Sequence, residues 1–265
     1  MHNTTYHKAA TAADAATTLS SAEDGAILAG GQTLIPTMKA RLAAPSDVVD
    51  VSKATDMRGI TVDGRSVTIG AAMTHAEVAS YKELRAVCPS ICDLAGNIGD
   101  PAVRNRGTLG GSVANNDPAA DYPAAMLALG AKIKTNAREI EADDFFTGMF
   151  DTALDEGEII TSVSFEAPEK GAYAKFPNPA SRYAMCGVFV ASTDGGARVA
   201  VTGAGSDGVF RAAEMEAALS ANFSAEALDA VQVDESAMLS DLHGDAAYRA
   251  NLVKVMAKRA TQQAQ

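Results

Sequence analysis

At 265 residues with 47% apolar side chains, the chain can build one large domain or two modest ones around a real core. Its formal net charge of -11 leaves no basic stripe for a nucleic-acid backbone or an anionic membrane surface, and no run of about 18 apolar residues could span a bilayer. Residues 1–21 lack the basic start and continuous apolar core of a signal peptide. Three cysteines without framework spacing suit a reducing compartment, so the expected location is cytoplasmic.

In chain order, Ala26 to Val51 reads as strand, glycine turn, helix and strand: ILA, then TLIPTMKARLA with Pro36 in its first turn, then DVVDV. GITV and SVTIGA predict a hairpin about Asp63-Gly64. The pattern turns helical from Thr74 to Gly99, where Thr74 and Glu77 have the spacing of a capping box. Cys88 and Cys92 lie one helical turn apart and read as two small buried apolar side chains, since no further metal ligands lie near them. Asp100 to Gly111, DPAVRNRGTLGG, predicts a long irregular segment.

Asp121 is placed to cap a helix that has Pro123 in its first turn and Gly130 at its left-handed end, and KIKT then reads as a strand. The three prolines between Glu166 and Ala180 predict a linker or long hairpin, with a domain boundary near residue 170. Beyond it, MCGVFVAST and ARVAVTGAGS predict two strands joined through Asp194-Gly195-Gly196, within a smaller α+β domain.

Two glycine pairs carry the chemistry. Gly30-Gly31-Gln32-Thr33 falls between a strand and a helix, where unpaired amides attract phosphate; the plainer reading is a turn that needs positive φ. Thr108-Leu109-Gly110-Gly111-Ser112 brackets the second pair with hydroxyls, and could equally be a glycine-rich turn in a β-rich segment. Two such loops converging on one pyrophosphate would spare cationic side chains, which fits an acidic protein. Asp117 and Asp121 could accept from a ribose or an adenine amine, although Asp121 is also a good helix cap. Arg104 and Arg106 could pair with phosphate or be solvated, and His75 could be a base or a structural residue. No nucleophile and base constellation is present, so the chemistry falls to a bound cofactor.

The segments AGGQTLIPTMKARLAAPSDVVDVS, VTIGAAMTHAEVA and IGDPAVRNRGTLGGSVANNDPAADYPAAMLALGA together resemble the FAD-binding medium subunit of molybdenum hydroxylases. The likeness is strongest to the carbon monoxide dehydrogenase medium subunit, with xanthine dehydrogenase flavin domains further away. It implies an α+β fold: a two-lobed vanillyl-alcohol-oxidase (PCMH)-type FAD-binding domain over residues 1–170, with lobes of about 1–55 and 56–170, and a small C-terminal domain over 171–265 with a three-stranded sheet. By the family's motifs, Ala29, Gly30, Gly31, Gln32, Thr33 and Leu34 and then Thr108, Leu109, Gly110, Gly111 and Ser112 would meet the pyrophosphate. Asp121 would serve the adenosine half, and Ile98 and Ile160 would flank the flavin.

In the xanthine dehydrogenase branch a basic residue approaches the flavin ring from the segment that here reads FPNPASRYAMCGV; Pro177 and Asn178 stand in those places, and Arg182 or Tyr183 would meet the ring instead. The resemblance further implies molybdopterin on a large subunit, two [2Fe-2S] clusters on a small subunit, and transfer from FAD to a quinone or NAD. The competing readings are a self-sufficient FAD-dependent oxidase of the same superfamily and a non-catalytic flavin sensor. Gly110→Val is expected to leave a folded apoprotein.

Overall fold

A computed structural model describes residues 2–264. The first sheet is wholly parallel: Thr5–Lys8 and Gly25–Leu28 flank Asp47–Asp50, with Thr5 and Gly25 both in register with Asp47. Parallel neighbours need crossovers, and helices Ala12–Ser21 and Leu34–Lys39 lie in the connections. The second sheet has five antiparallel strands in the order Ile60–Asp63, Ser66–Gly70, Ile160–Glu166, Lys132–Thr135 and Glu139–Glu141.

The third sheet joins Lys170–Pro177, Ala184–Thr193 and Gly196–Thr202, and the two-residue strand Phe210–Arg211 extends the expected three strands by a short fourth. This sheet separates two hydrophobic cores. Tyr173, Phe189, Ala191 and Ala200 pack into the core shared with the first two sheets, while Val188, Val190, Val199 and Val201 face Met215, Leu219, Val253 and Met256 of helices Ala213–Ala221 and Ala246–Gln263. Burial on both faces explains why MCGVFVA is a continuous apolar run with no alternation.

The capping box forms as the spacing implies: Thr74 N–H donates to Glu77 Oε2 at 2.9 Å and Glu77 N–H to Thr74 Oγ1 at 3.3 Å. Cys88 and Cys92 are buried and free.

Three segments differ from expectation. Asp100 to Gly111 holds the helix Pro101–Arg104 and the start of the helix Leu109–Asn115, so the second glycine pair lies in a helical first turn capped by Thr108. The proline-rich stretch after Glu166 contains the edge strand Lys170–Pro177, in which Pro177 is tolerated at a register shift where no ladder donor is required. Asp121 stands at the start of the helix Tyr122–Ala128 but its side chain makes no capping bond.

Candidate functional site

A cavity of about 620 Å³ opens between the parallel sheet and the helices that follow the second sheet's first hairpin. Such a volume suits a cofactor-sized ligand. Ala29, Gly30, Gly31, Gln32, Thr33 and Leu34 all line it. Thr108, Gly110, Gly111 and Ser112 enter from the start of helix Leu109–Asn115, and Ile98, Asp121, Ile160 and Tyr183 complete the set brought together from distant sequence. Leu109 is the exception: its side chain is fully buried in the core, and its N–H donates to Met73 O at 3.0 Å.

The glycines have distinct jobs. A Cβ on Gly30 would lie 2.6 Å from Gly107 Cα, so the first glycine segment presses against the backbone at Arg106 and Gly107, just ahead of the second. Gly31 needs its positive φ of +72°. A Cβ on Gly110 would sit 2.5 Å from Ala71 Cβ and 2.9 Å from Ala71 O, so Gly110 serves helix packing, and Gly110→Val would break that packing before it met any ligand. Gly111 is the less crowded of the pair: an added Cβ would press on the Thr108 hydroxyl at 2.9 Å, a side-chain atom that can shift, and its next neighbour would be Ala29 Cβ, 3.8 Å away.

Their amides differ too. Leu109, Gly110, Gly111 and Ser112 donate to Met73 O, Ala71 O, Thr108 Oγ1 and Thr108 O respectively. The first segment spends none of its amides from Gly30 to Leu34 in this way among the described residues. The free donors of the site therefore sit on the first segment.

The carboxylates at the cavity wall are compensated. Asp121 accepts from Tyr173 Oη at 2.5 Å and from Lys175 Nζ at 2.9 Å and 3.0 Å; burial pushes its carboxyl up, opposed by the Lys175 charge and the Tyr173 hydroxyl. Glu158 accepts from Arg138 Nε at 3.0 Å, Arg138 Nη2 at 2.9 Å and Thr135 Oγ1 at 2.6 Å. These bonds hold it well down, at about 2. Asp117 Oδ1 accepts from Ala119 N–H at 2.9 Å. An anionic ligand thus meets no unpaired charge at Asp121 or Glu158.

Arg104 is not available to a phosphate through its Nη1, which donates to Ile98 O and Gly99 O, each at 3.0 Å, and braces the turn beneath Ile98. Arg106 is exposed outside the cavity. Tyr183 is 50% exposed at the cavity mouth, following Arg182 with its φ of +63°. Burial, with the charges of Asp117 and Asp121, raises its hydroxyl above the ordinary tyrosine range. Sequence reasoning missed Lys175, Tyr173 and Glu158. A lysine inside the apolar run AYAKF was the available sign of a buried partner.

Residues 2–167 match the model of the FAD binding domain in molybdopterin dehydrogenase. The chain belongs to the FAD-binding medium subunits of the molybdenum hydroxylases. It is 34% identical to the carbon monoxide dehydrogenase medium chain of Afipia carboxidovorans, covering 98% of this chain and 96% of that one. It is 33% identical to the nicotine 6-hydroxylase medium subunit of Paenarthrobacter nicotinovorans, covering 96% and 94%. In three dimensions it matches the carbon monoxide dehydrogenase structure from Hydrogenophaga pseudoflava with a TM-score of 0.89 and 32% identity, over 98% of this chain and 96% of that one.

The subunit is an oxidoreductase component and its cofactor is FAD. The cavity fits that group: unspent amides at one end, an apolar wall with Ile98 and Ile160, and a less crowded glycine, Gly111, on the second segment. No helix among the described residues is long and apolar enough to cross a membrane.

Proposed function

We propose that this subunit carries electrons out of a molybdenum hydroxylase, accepting them from [2Fe-2S] clusters on a small partner subunit and passing them through FAD to a quinone or NAD. Substrate is hydroxylated at molybdopterin on a large partner subunit, and this chain holds only the exit. The observation that carries the reading is the convergence of both glycine segments, Ile98, Asp121, Ile160 and Tyr183 on one cavity. The related proteins are themselves a medium subunit and a medium chain.

Within this reading the amides of Ala29 to Leu34 hold the pyrophosphate, Gly111 admits it, and Ile98 and Ile160 exclude water from the ring. Asp121 shares its lysine with the carbonyl of Asn97, next to Ile98, and its charge acts on Tyr183. On these contacts we assign its side chain to the Ile98 and Tyr183 end, in preference to the adenosine half. Residues 1–170 serve as the cofactor domain and 171–265 as a C-terminal domain that lends Tyr173, Lys175 and Tyr183 to the site.

FAD when bound would supply the redox chemistry; the cavity residues would hold it, with Tyr183 at the mouth. The test is to mix the FAD-loaded chain with substrate, with and without the two partner subunits, and follow flavin bleaching without oxygen. Bleaching only in the assembled complex is expected. Substrate turnover by the isolated chain would overturn the assignment in favour of a self-sufficient oxidase.

A further inference from the structure

His75 stands beside Gly107, where the backbone ahead of the second glycine segment crosses Gly30, and it is only 4% exposed. Its Nδ1 is sealed from solvent and has no hydrogen-bond partner, an uncommon state for a buried polar atom. The ring packs at a tilt against Tyr122, with centroids 5.4 Å apart. Its opposite edge faces Gly107: a Cβ there would lie 2.5 Å from Nε2 and 2.9 Å from Cδ2. Gly107 lines the same cavity and supports Gly30 from behind. Glycine at 107 therefore keeps the Nε2 edge uncovered on the cavity side.

The tautomer follows from these surroundings. A proton on Nδ1 would be a buried donor with no acceptor, which is rarer in proteins than a bare acceptor. The proton accordingly resides on Nε2, the edge turned to the cavity. Burial, and then the Arg104 charge, lower the ring's pKa to about 4, so it is a neutral donor near pH 7. The capping box at Thr74 fixes the backbone from which the ring projects, and His75 N–H donates to Gly107 O at 3.0 Å. The donor is thus held to the glycine crossing from both sides.

We infer that His75 is a positioning residue for the cofactor, its Nε2–H donating to an oxygen of the bound FAD where Gly30 and Gly107 cross. This rests on the reading of the cavity as the FAD site. It adds a side-chain donor to a grip otherwise made of backbone amides. It also gives a reason for Gly107, which belongs to neither glycine pair.

The test uses the full chain stripped of FAD, and measures FAD affinity by flavin fluorescence together with thermal unfolding of the cofactor-free form. His75→Leu removes the donor at similar volume; His75→Gln restores one. The expected result is about tenfold weaker FAD binding for His75→Leu, with cofactor-free unfolding unchanged or higher because the orphaned nitrogen is gone. His75→Gln should recover most of the affinity. Unchanged affinity in His75→Leu would overturn the inference while leaving the site intact. A parallel fall in cofactor-free stability, with no recovery by His75→Gln, would make the ring purely structural. A wild-type chain that binds no FAD would overturn the site itself.

Discussion

Lys175 and Asp121 form a buried ion pair, with side chains 7% and 6% exposed and Nζ 2.9 Å from Oδ1. The pair bridges the edge strand Lys170–Pro177 and the start of the helix Tyr122–Ala128, and so ties the third sheet to the cavity wall. Lys175→Met strands a buried carboxylate and is expected to cost about 3–5 kcal/mol. Adding Asp121→Asn, which is neutral and can still accept from Tyr173, should recover most of that loss. Urea unfolding of the single and double variants measures both.

Gly110 and Gly111 are adjacent but should respond differently. Gly110→Ala drives a methyl into Ala71 and should destabilise the chain by about 1–3 kcal/mol. Gly111→Ala crowds only the Thr108 hydroxyl, a side-chain atom that can shift, and gains helix propensity, so its fold should suffer less than that of Gly110→Ala while FAD binding weakens. Thermal unfolding without cofactor, set beside FAD titration, separates the two.

His75 gives the cofactor-free chain a pH dependence. Its folded pKa, about 4, lies below the ordinary 6.5, so the unfolded chain binds the extra proton and stability falls as pH drops from 6.5 toward 4. Between pH 7 and pH 5 this amounts to about 2 kcal/mol. The FAD-free wild type should lose that much more than His75→Leu over the same interval in urea titrations.

Glu158 has the opposite sense. Its pKa is depressed from 4.5 to about 2 by Arg138 and Thr135, so its stabilisation is present above pH 4.5 and lost as pH falls toward 2. Arg138 is 45% exposed, which screens the pair. Glu158→Gln should therefore cost only about 1–2 kcal/mol at pH 7 and much less at pH 3, by chemical denaturation.

What the sequence made legible was local. The Thr74 and Glu77 box, the strand 47–50, the positive φ at Gly130 and the long strands 184–193 and 196–202 follow from spacing and turn chemistry. The strand Thr5–Lys8 and helix Ala12–Ser21 drew no expectation, because the strand is largely exposed and its pairing with Asp47–Asp50 is non-local. Thr108 looked like one hydroxyl of a loop, whereas it caps a helix through Gly111 N–H, a role visible only once the helix is placed.

The site divides the same way. The glycine pairs stood out in sequence and the cavity gathers both, but which glycine is left less crowded depends on distant backbone: Arg106 closes over Gly30 and Ala71 over Gly110, each far along the chain from the glycine it meets. Asp121 had two local roles open, cap or ligand contact, and the structure adds a third, the ion pair with a lysine 54 positions on. Long-range pairing of this kind leaves no periodic trace.

The most direct measurement is titration of the FAD-free full chain with FAD, read by flavin fluorescence, for the wild type and Gly111→Val. The expected result is saturable one-to-one binding by the wild type and severe loss in the variant, with the cofactor-free variant still folded by circular dichroism. A folded Gly111→Val chain that binds FAD as tightly as the wild type would contradict it.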